Sequence, residues 1–161
     1  MDLLIRKAVP KDSDTLTKYY IEFKSGHAQY VPKFFLEHRK ITNSFESIRS
    51  AVKGMILNKG GLFFVVEADG KIVGFAYGEV RTDKRTVFPE MVVGEIKNLW
   101  IKDKYRGNRI SSKLKDKYLN WFKEKGCDYV LIEVLQKNPA NKIYEKWGFE
   151  PYLEKLVKPI K

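Results

Sequence analysis

Apolar positions along this chain follow two periods, and the change from one to the other falls at glycines and prolines. Leu3 to Ala8 alternates as a strand does, and Pro10-Lys11-Asp12 then turns into a helix predicted from Ser13 to about Lys24 and stopped by Gly26. From Pro32 to Asn58 the spacing of Phe35, Ile41, Phe45, Ile48, Val52, Met55 and Ile56 is helical, with a break near Thr42-Asn43-Ser44. Leu62 to Ala68 and Lys71 to Val80 are rich in β-branched and aromatic residues, and Asp69-Gly70 between them predicts a hairpin. Arg81 to Glu90 reads as a polar connection and Val92 to Ile101 as a further strand. Ile110, Leu114, Tyr118, Trp121 and Phe122 share one face of a helix from Ile110 to Lys125, which Gly126 caps. Tyr129 to Leu135 is a continuous apolar strand of the kind covered on both faces. Asn138 to Trp147 is a short helix ended by Gly148, and Phe149 to Val157 a last strand. The sum is one α+β domain over residues 1–161, with no repeats and no linker.

Composition narrows the function classes. A hydrophobic fraction of 43% supports a packed core, and no apolar run reaches the roughly 20 residues of a membrane span. The first residues, MDLLIRKAVPKDSD, have no signal-peptide core, so a cytoplasmic location is expected. Cys127 is the single cysteine, which excludes an internal disulfide and argues against a thiolate metal site; no metal is expected. The net charge of +11 favours anionic partners, such as a phosphorylated cofactor, although its lysines are spread along the chain and also serve as a solubilising surface. Without a helix-turn-helix, zinc-finger or RNA-binding signature, nucleic acid is not the expected partner.

The segment from Tyr105 to Leu114, YRGNRISSKL, joins a strand to a helix whose next strand is parallel, a βαβ corner where helix N–H groups suit an anion. Residues Val93 to Phe149 resemble the GCN5-related N-acetyltransferase (GNAT) superfamily. Its loop commonly reads Arg-Gly-x-Gly-Ile-Gly with a leucine three residues on. Here it reads Arg106-Gly107-Asn108-Arg109-Ile110-Ser111, with Leu114 three residues on, so Arg109 and Ser111 replace two diagnostic small residues. Ala140-Asn141-Lys142-Ile143-Tyr144-Glu145-Lys146-Trp147-Gly148-Phe149 is similar to a second family motif, Ala-x-x-Leu/Ile-Tyr-x-x-x-Gly-Phe. The resemblance implies a mixed, mostly antiparallel sheet flanked by helices, with the parallel βαβ unit at the cofactor site. It implies acetyl-CoA as co-substrate and a primary amine as acceptor, whether small amine, polyamine or protein amino group.

Site roles follow from the resemblance residue by residue. Arg106, Gly107, Asn108, Arg109, Ile110, Ser111 and Ser112 would wrap the pyrophosphate. The backbone of Leu99, Trp100 and Ile101 would lie along the pantetheine, with Asn138, Asn141 and Tyr144 on its other side. A helical residue needs no positive φ, so glycine in this loop is read as serving close approach. Arg109 then either pairs with a phosphate or narrows the loop.

Acetyl transfer needs the amine deprotonated, the thioester carbonyl polarised and the leaving thiolate protonated. Glu95 falls where histone acetyltransferases carry their catalytic glutamate; otherwise it is an ordinary strand carboxylate paired with Lys97. Tyr144 matches the family's thiolate-protonating tyrosine, or else it is a packed helix aromatic. Trp147 and Trp100 also read as packing residues. His27 is either part of the acceptor pocket wall or a structural loop histidine, and Glu22, Glu37, Glu46, Glu79 and Glu90 are available to line that pocket. Cys127 has no activating neighbour and is not expected to be a nucleophile. A direct N-acetyltransferase, monomer or homodimer, is the leading reading; a non-catalytic acyl-CoA sensor or a basic nucleic-acid-binding module is the alternative.

Overall fold

The computed structural model describes residues 2–38, 44–85 and 87–160. In chain order the elements are β1 (Leu3–Lys7), α1 (Ser13–His27), α2 (Lys33–Glu37), α3 (Phe45–Leu57), β2 (Gly61–Ala68), β3 (Lys71–Asp83), β4 (Met91–Ile101), α4 (Ile110–Glu124), β5 (Tyr129–Ile132) and α5 (Asn141–Lys146). They build a five-stranded sheet in the order β1-β2-β3-β4-β5, in which only the β4–β5 pair is parallel. The α+β architecture with one βαβ unit, β4-α4-β5, agrees with the sequence reading.

The hairpin at Asp69-Gly70 forms as its residues demand. Both take positive φ, 48° and 75°, which matches the twist of the flanking strands. Helices then cover both sheet faces. On one, Leu114, Tyr118 and Phe122 of α4 pack on Leu62, Phe64, Val66, Ala76 and Ile96. On the other, Leu16 and Phe23 of α1 and Val52 of α3 pack on Phe63, Val65, Phe75, Tyr77 and Trp100. Two glycines set how closely α4 approaches. A Cβ on Gly78 would meet Tyr118 at 2.8 Å, and one on Gly94 would meet the Phe122 ring at 2.4 Å. The fully buried Tyr118 satisfies its hydroxyl by donating to the Leu62 carbonyl at 2.8 Å.

β1 is tied to the start of α1 by Arg6, whose guanidinium contacts both Asp12 carboxylate oxygens at 2.7 and 3.0 Å and reaches Glu67 on β2. Asp12 also accepts from the Val9 N–H at 2.9 Å, closing the turn. Burial pushes the Asp12 carboxyl up, but the bonds from Arg6 and Val9 outweigh it and hold the group below its ordinary range.

Four expectations are corrected. Gly26 does not stop α1, which runs to His27 and continues as a short 3-10 turn to Tyr30. β3 runs past Val80 to Asp83, because Arg81, Thr82 and Asp83 find partners in Val93, Val92 and Met91. β5 ends at Ile132 and is only half-buried throughout, since it is the edge of the sheet. No strand forms over Phe149–Val157; beyond Phe149 the described residues are irregular, held through Gln136 to Glu154 at 2.7 Å and Arg85 to Tyr152. Of the predicted break in the α2–α3 region, Thr42 and Asn43 lie outside the described residues, while Ser44 caps α3 by accepting from the Ser47 N–H at 3.2 Å.

Candidate active site

One extra residue in β4 creates the gap on which the site is built. Tyr77 pairs with Asn98 and Gly78 with Ile96, so Lys97 is the bulged residue. β4 and β5 stay paired only from Val93 to Ile96. Beyond the bulge β4 continues to Ile101 with no strand of the described residues paired on its β5 side. Lys102 donates to the Val73 carbonyl at 2.9 Å, which fixes the alternation: Trp100 is turned to β3, and the N–H and C=O of Leu99 and Ile101 face the gap. Trp100 itself is packed, stacked on Phe75 at 5.7 Å between centroids.

The loop after β4 leads from this edge to the N-terminus of α4. Arg106 Nε donates to the Ile101 carbonyl at 3.0 Å, and its Nη2 lies 2.9 Å from Asp103, so this arginine braces the loop. Asn108 donates to the carbonyls of Tyr105 and Arg106 at 3.1 and 3.3 Å. Gly107 has φ 82° and Arg109 φ 55°, and no side chain caps α4. The first-turn N–H groups of Ile110, Ser111 and Ser112 therefore sit at an uncapped helix end. Arg109 is the N-cap of α4 and not a helical residue. The expectation that a small residue here serves only close approach is corrected: the left-handed backbone itself favours glycine. The exposed Arg109 side chain makes no hydrogen bond or ion pair among the described residues.

Beyond β5, Asn138 and Asn141 are committed to shaping the turn. Asn138 Oδ1 accepts from the Ala140 N–H at 3.0 Å, and Asn141 Nδ2 donates to the carbonyls of Leu135, Gln136 and Asn138. Asn138 Nδ2 also lies 3.4 Å from His27 Nε2, so the end of α1 meets this turn. His27 Nδ1 is 2.8 Å from the Phe23 carbonyl, which can only accept, so Nδ1 carries a proton and donates to it. Tyr144 is half-buried on α5 with its ring 5.5 Å from Trp147, and burial raises its phenol above the ordinary value. Cys127 is pushed up by burial and then by Asp128, the opposite of an activated nucleophile.

Glu95 lies one residue before Ile96, where the β4–β5 pairing ends, and its residue is 7% exposed. It is directly opposite Glu79 on β3, on the sheet face that carries Tyr77 and Trp100. Lys97 is not its hydrogen-bonding partner. Arg81 Nε meets Glu95 Oε2 at 3.2 Å, while Lys97 Nζ bonds Glu79 at 2.8 Å. Tyr77 donates to Glu79 at 3.0 Å and accepts from Asn58 Nδ2 at 2.7 Å. Burial raises the Glu79 carboxyl, but the bonds from Lys97 and Tyr77 and the nearby charges of Lys97 and Arg81 bring it below its ordinary value. Sequence reasoning missed Arg81 because it ended β3 at Val80. Of the five acidic residues considered for the pocket, Glu79 stands beside Glu95; Glu22, Glu37, Glu46 and Glu90 are exposed, the last three paired with Lys33, Arg49 and Lys84.

Among the described residues no helix is long and apolar enough to cross a membrane, and no group of three or more His, Cys, Asp or Glu side chains could hold a metal ion.

The model of the acetyltransferase (GNAT) family matches residues 24–149. An uncharacterised N-acetyltransferase of Archaeoglobus fulgidus is 30% identical over 75% of this chain and 74% of its own length. Mycothiol acetyltransferase of Saccharomonospora viridis is 26% identical over 65% of this chain and 35% of its own. Among solved structures, a predicted acetyltransferase of Clostridium acetobutylicum with acetyl-CoA superposes with a TM-score of 0.75 at 18% identity, covering 99% of this chain and 97% of the other. A Bacillus halodurans protein superposes with a TM-score of 0.82 at 16% identity, covering 98% and 99%. The two motifs found in the sequence lie within the matched segment, and the chain belongs to the GNAT acetyltransferase family.

Proposed function

We propose that the protein is an acetyl-CoA-dependent N-acetyltransferase, one domain over residues 1–161, that moves the acetyl group directly onto a primary amine. The observation that carries this is the continuity of the gap: the edge at Leu99 and Ile101, which no strand of the described residues pairs, runs through the Arg106-braced loop to the uncapped end of α4. The backbone of Leu99 can pair with an amide-bearing arm as an added strand would. The N–H groups of Ile110, Ser111 and Ser112 suit a pyrophosphate, and Arg109 has an unengaged guanidinium beside them. The Ile101 carbonyl is already occupied by Arg106, so Leu99 is the freer contact.

In this reading Glu95 takes the proton from the acceptor ammonium, and the freed nitrogen lone pair attacks the thioester carbonyl carbon. The carbon–sulfur bond breaks, Tyr144 gives its phenolic proton to the leaving sulfur, and the second proton lost from the acylated nitrogen passes through solvent to restore the phenol, leaving a neutral amide and a free thiol. A phenol raised by burial stays protonated at neutral pH and is available for that transfer. Asn138 and Asn141 hold the turn that presents α5, and so act through Tyr144 and the arm.

The test is calorimetric titration of acetyl-CoA and its dephospho analogue into the protein and into Arg109→Ala. Micromolar binding that weakens on removing the arginine supports the reading. Absence of binding in the wild type overturns it.

A further inference from the structure

The register of β3 and β4 places four charges side by side on the face where Glu95 sits. Glu79 is opposite Glu95, Arg81 is two residues along β3, and Lys97 is the bulge residue of β4. They form two closed pairs, Arg81 with Glu95 at 3.2 Å and Lys97 with Glu79 at 2.8 Å, so the group carries no net charge. The carboxylates are the sheltered members, with side chains 9% and 23% exposed for Glu95 and Glu79. The cations are the open ones, at 43% for Arg81 and 41% for Lys97.

Arg81 engages Glu95 through Nε alone, and among the described residues its Nη1 and Nη2 have no acceptor. The outward-facing end of the fork is thus unpaired, and the guanidinium lies over a carboxylate that an acceptor amine has to reach.

Resting on the acetyltransferase reading, we infer that the acceptor is a primary amine carrying an anionic group, a carboxylate or phosphate, a short spacer away, with Arg81 as the residue that selects it. Arg81 covers Glu95 Oε2, so an ammonium that pairs with this oxygen takes the place of Arg81. A simple alkylamine that does so leaves the guanidinium unpaired beside a second positive charge. A diamine adds a further cation against Arg81 and Lys97, and the protein's net charge of +11 opposes it again. An amine with its own anion exchanges partners instead: its ammonium pairs with Glu95, and its anion takes two hydrogen bonds from the Arg81 fork. Charge is conserved through the exchange, and Glu95 is left in contact with the proton it is to remove. The β3 extension to Asp83 is what brings Arg81 into this register.

The experiment measures binding of γ-aminobutyrate, phosphoethanolamine, butylamine and putrescine to the CoA-saturated protein by calorimetry, then acetyl-CoA turnover with the same amines. The expected result is that at least one anionic amine binds about tenfold or more tighter than butylamine, with putrescine weakest. Arg81→Gln should reduce that preference to about threefold or less, and Arg81→Lys should restore part of it. The ratio of γ-aminobutyrate to phosphoethanolamine binding separates carboxylate from phosphate. Equal binding of the four amines, a preference that survives Arg81→Gln, or no binding of either anionic amine overturns the inference. Preferential binding without acetyl transfer keeps the charge exchange and removes the acetyltransferase reading. Transfer without charge preference does the reverse.

Discussion

Gly94 of β4 faces the ring of Phe122 on α4 so closely that a Cβ at Gly94 would lie 2.4 Å from Phe122 Cγ. This contact sets the distance between the helix that begins at the candidate phosphate site and the strand that carries Glu95. Gly94→Ala should therefore destabilise the fold by about 1–3 kcal/mol through overpacking. Phe122→Ala should cost about 3–5 kcal/mol by leaving a cavity. Urea denaturation checks both; a Gly94→Ala midpoint equal to wild type would show that α4 shifts freely.

Arg109 is held at φ 55° at the entrance to α4. A left-handed conformation costs a non-glycine residue about 1–2 kcal/mol, partly offset by the greater unfolded-state freedom of glycine. Arg109→Gly should be more stable than Arg109→Ala by roughly 0.5–1 kcal/mol. If the guanidinium contacts a phosphate, both variants should lose cofactor affinity alike despite their different stabilities. Chemical denaturation beside calorimetry separates the two effects.

Asp12 ties stability to acid pH. Its folded carboxyl lies below its ordinary value, because the bonds from Arg6 and Val9 outweigh the upward push of burial. A depressed carboxyl contributes stability that is present above the unfolded value of about 4 and is lost as pH falls through the lower folded one. Glu79, also depressed, acts in the same direction. Arg6→Met should destabilise the protein at pH 7 and flatten the fall in stability between about pH 5 and pH 2. Thermal unfolding across that range measures the slope, and an unchanged slope contradicts the assignment.

Tyr144→Phe should lower kcat by about tenfold to a hundredfold, with little change in acetyl-CoA affinity, since the ring and its packing on Trp147 are kept. Because burial raises this phenol, its loss of the proton belongs to pH above the ordinary value of about 10. The alkaline fall in kcat should lie in that range in wild type and be absent from the variant. Equal kcat in both would assign the leaving-group proton to another donor.

Most of the architecture was legible because the periodic signals are backed by turn chemistry. Asp69-Gly70 fixed a hairpin, and Ile110, Leu114, Tyr118 and Phe122 fixed a helix face that is buried as read. What was not legible depended on contacts distant in sequence. Arg81 looks like loop by composition and becomes strand only through its pairing with Val93. Phe149–Val157 has strand-like residues, but the described residues contain no strand hydrogen-bonded to it. Glu95 was singled out through the family resemblance, and its partner was not legible: Lys97 is nearer in sequence, but the bulge turns it to Glu79, and Arg81 meets Glu95 instead. The left-handed Arg109 was not legible because apolar periodicity locates the helix from Ile110 but carries no information on the backbone angle of the residue that enters it.

The central claim is that Glu95 removes the acceptor proton, and Glu95→Gln tests it most directly. The substitution keeps the shape and an acceptor oxygen for Arg81 while removing the base. With acetyl-CoA and an amine that the wild type acetylates, kcat should fall by about 10²–10⁴-fold while calorimetric acetyl-CoA affinity stays within about twofold. Turnover retained in the variant across the pH range would contradict the account and leave Glu95 as a structural partner of Arg81.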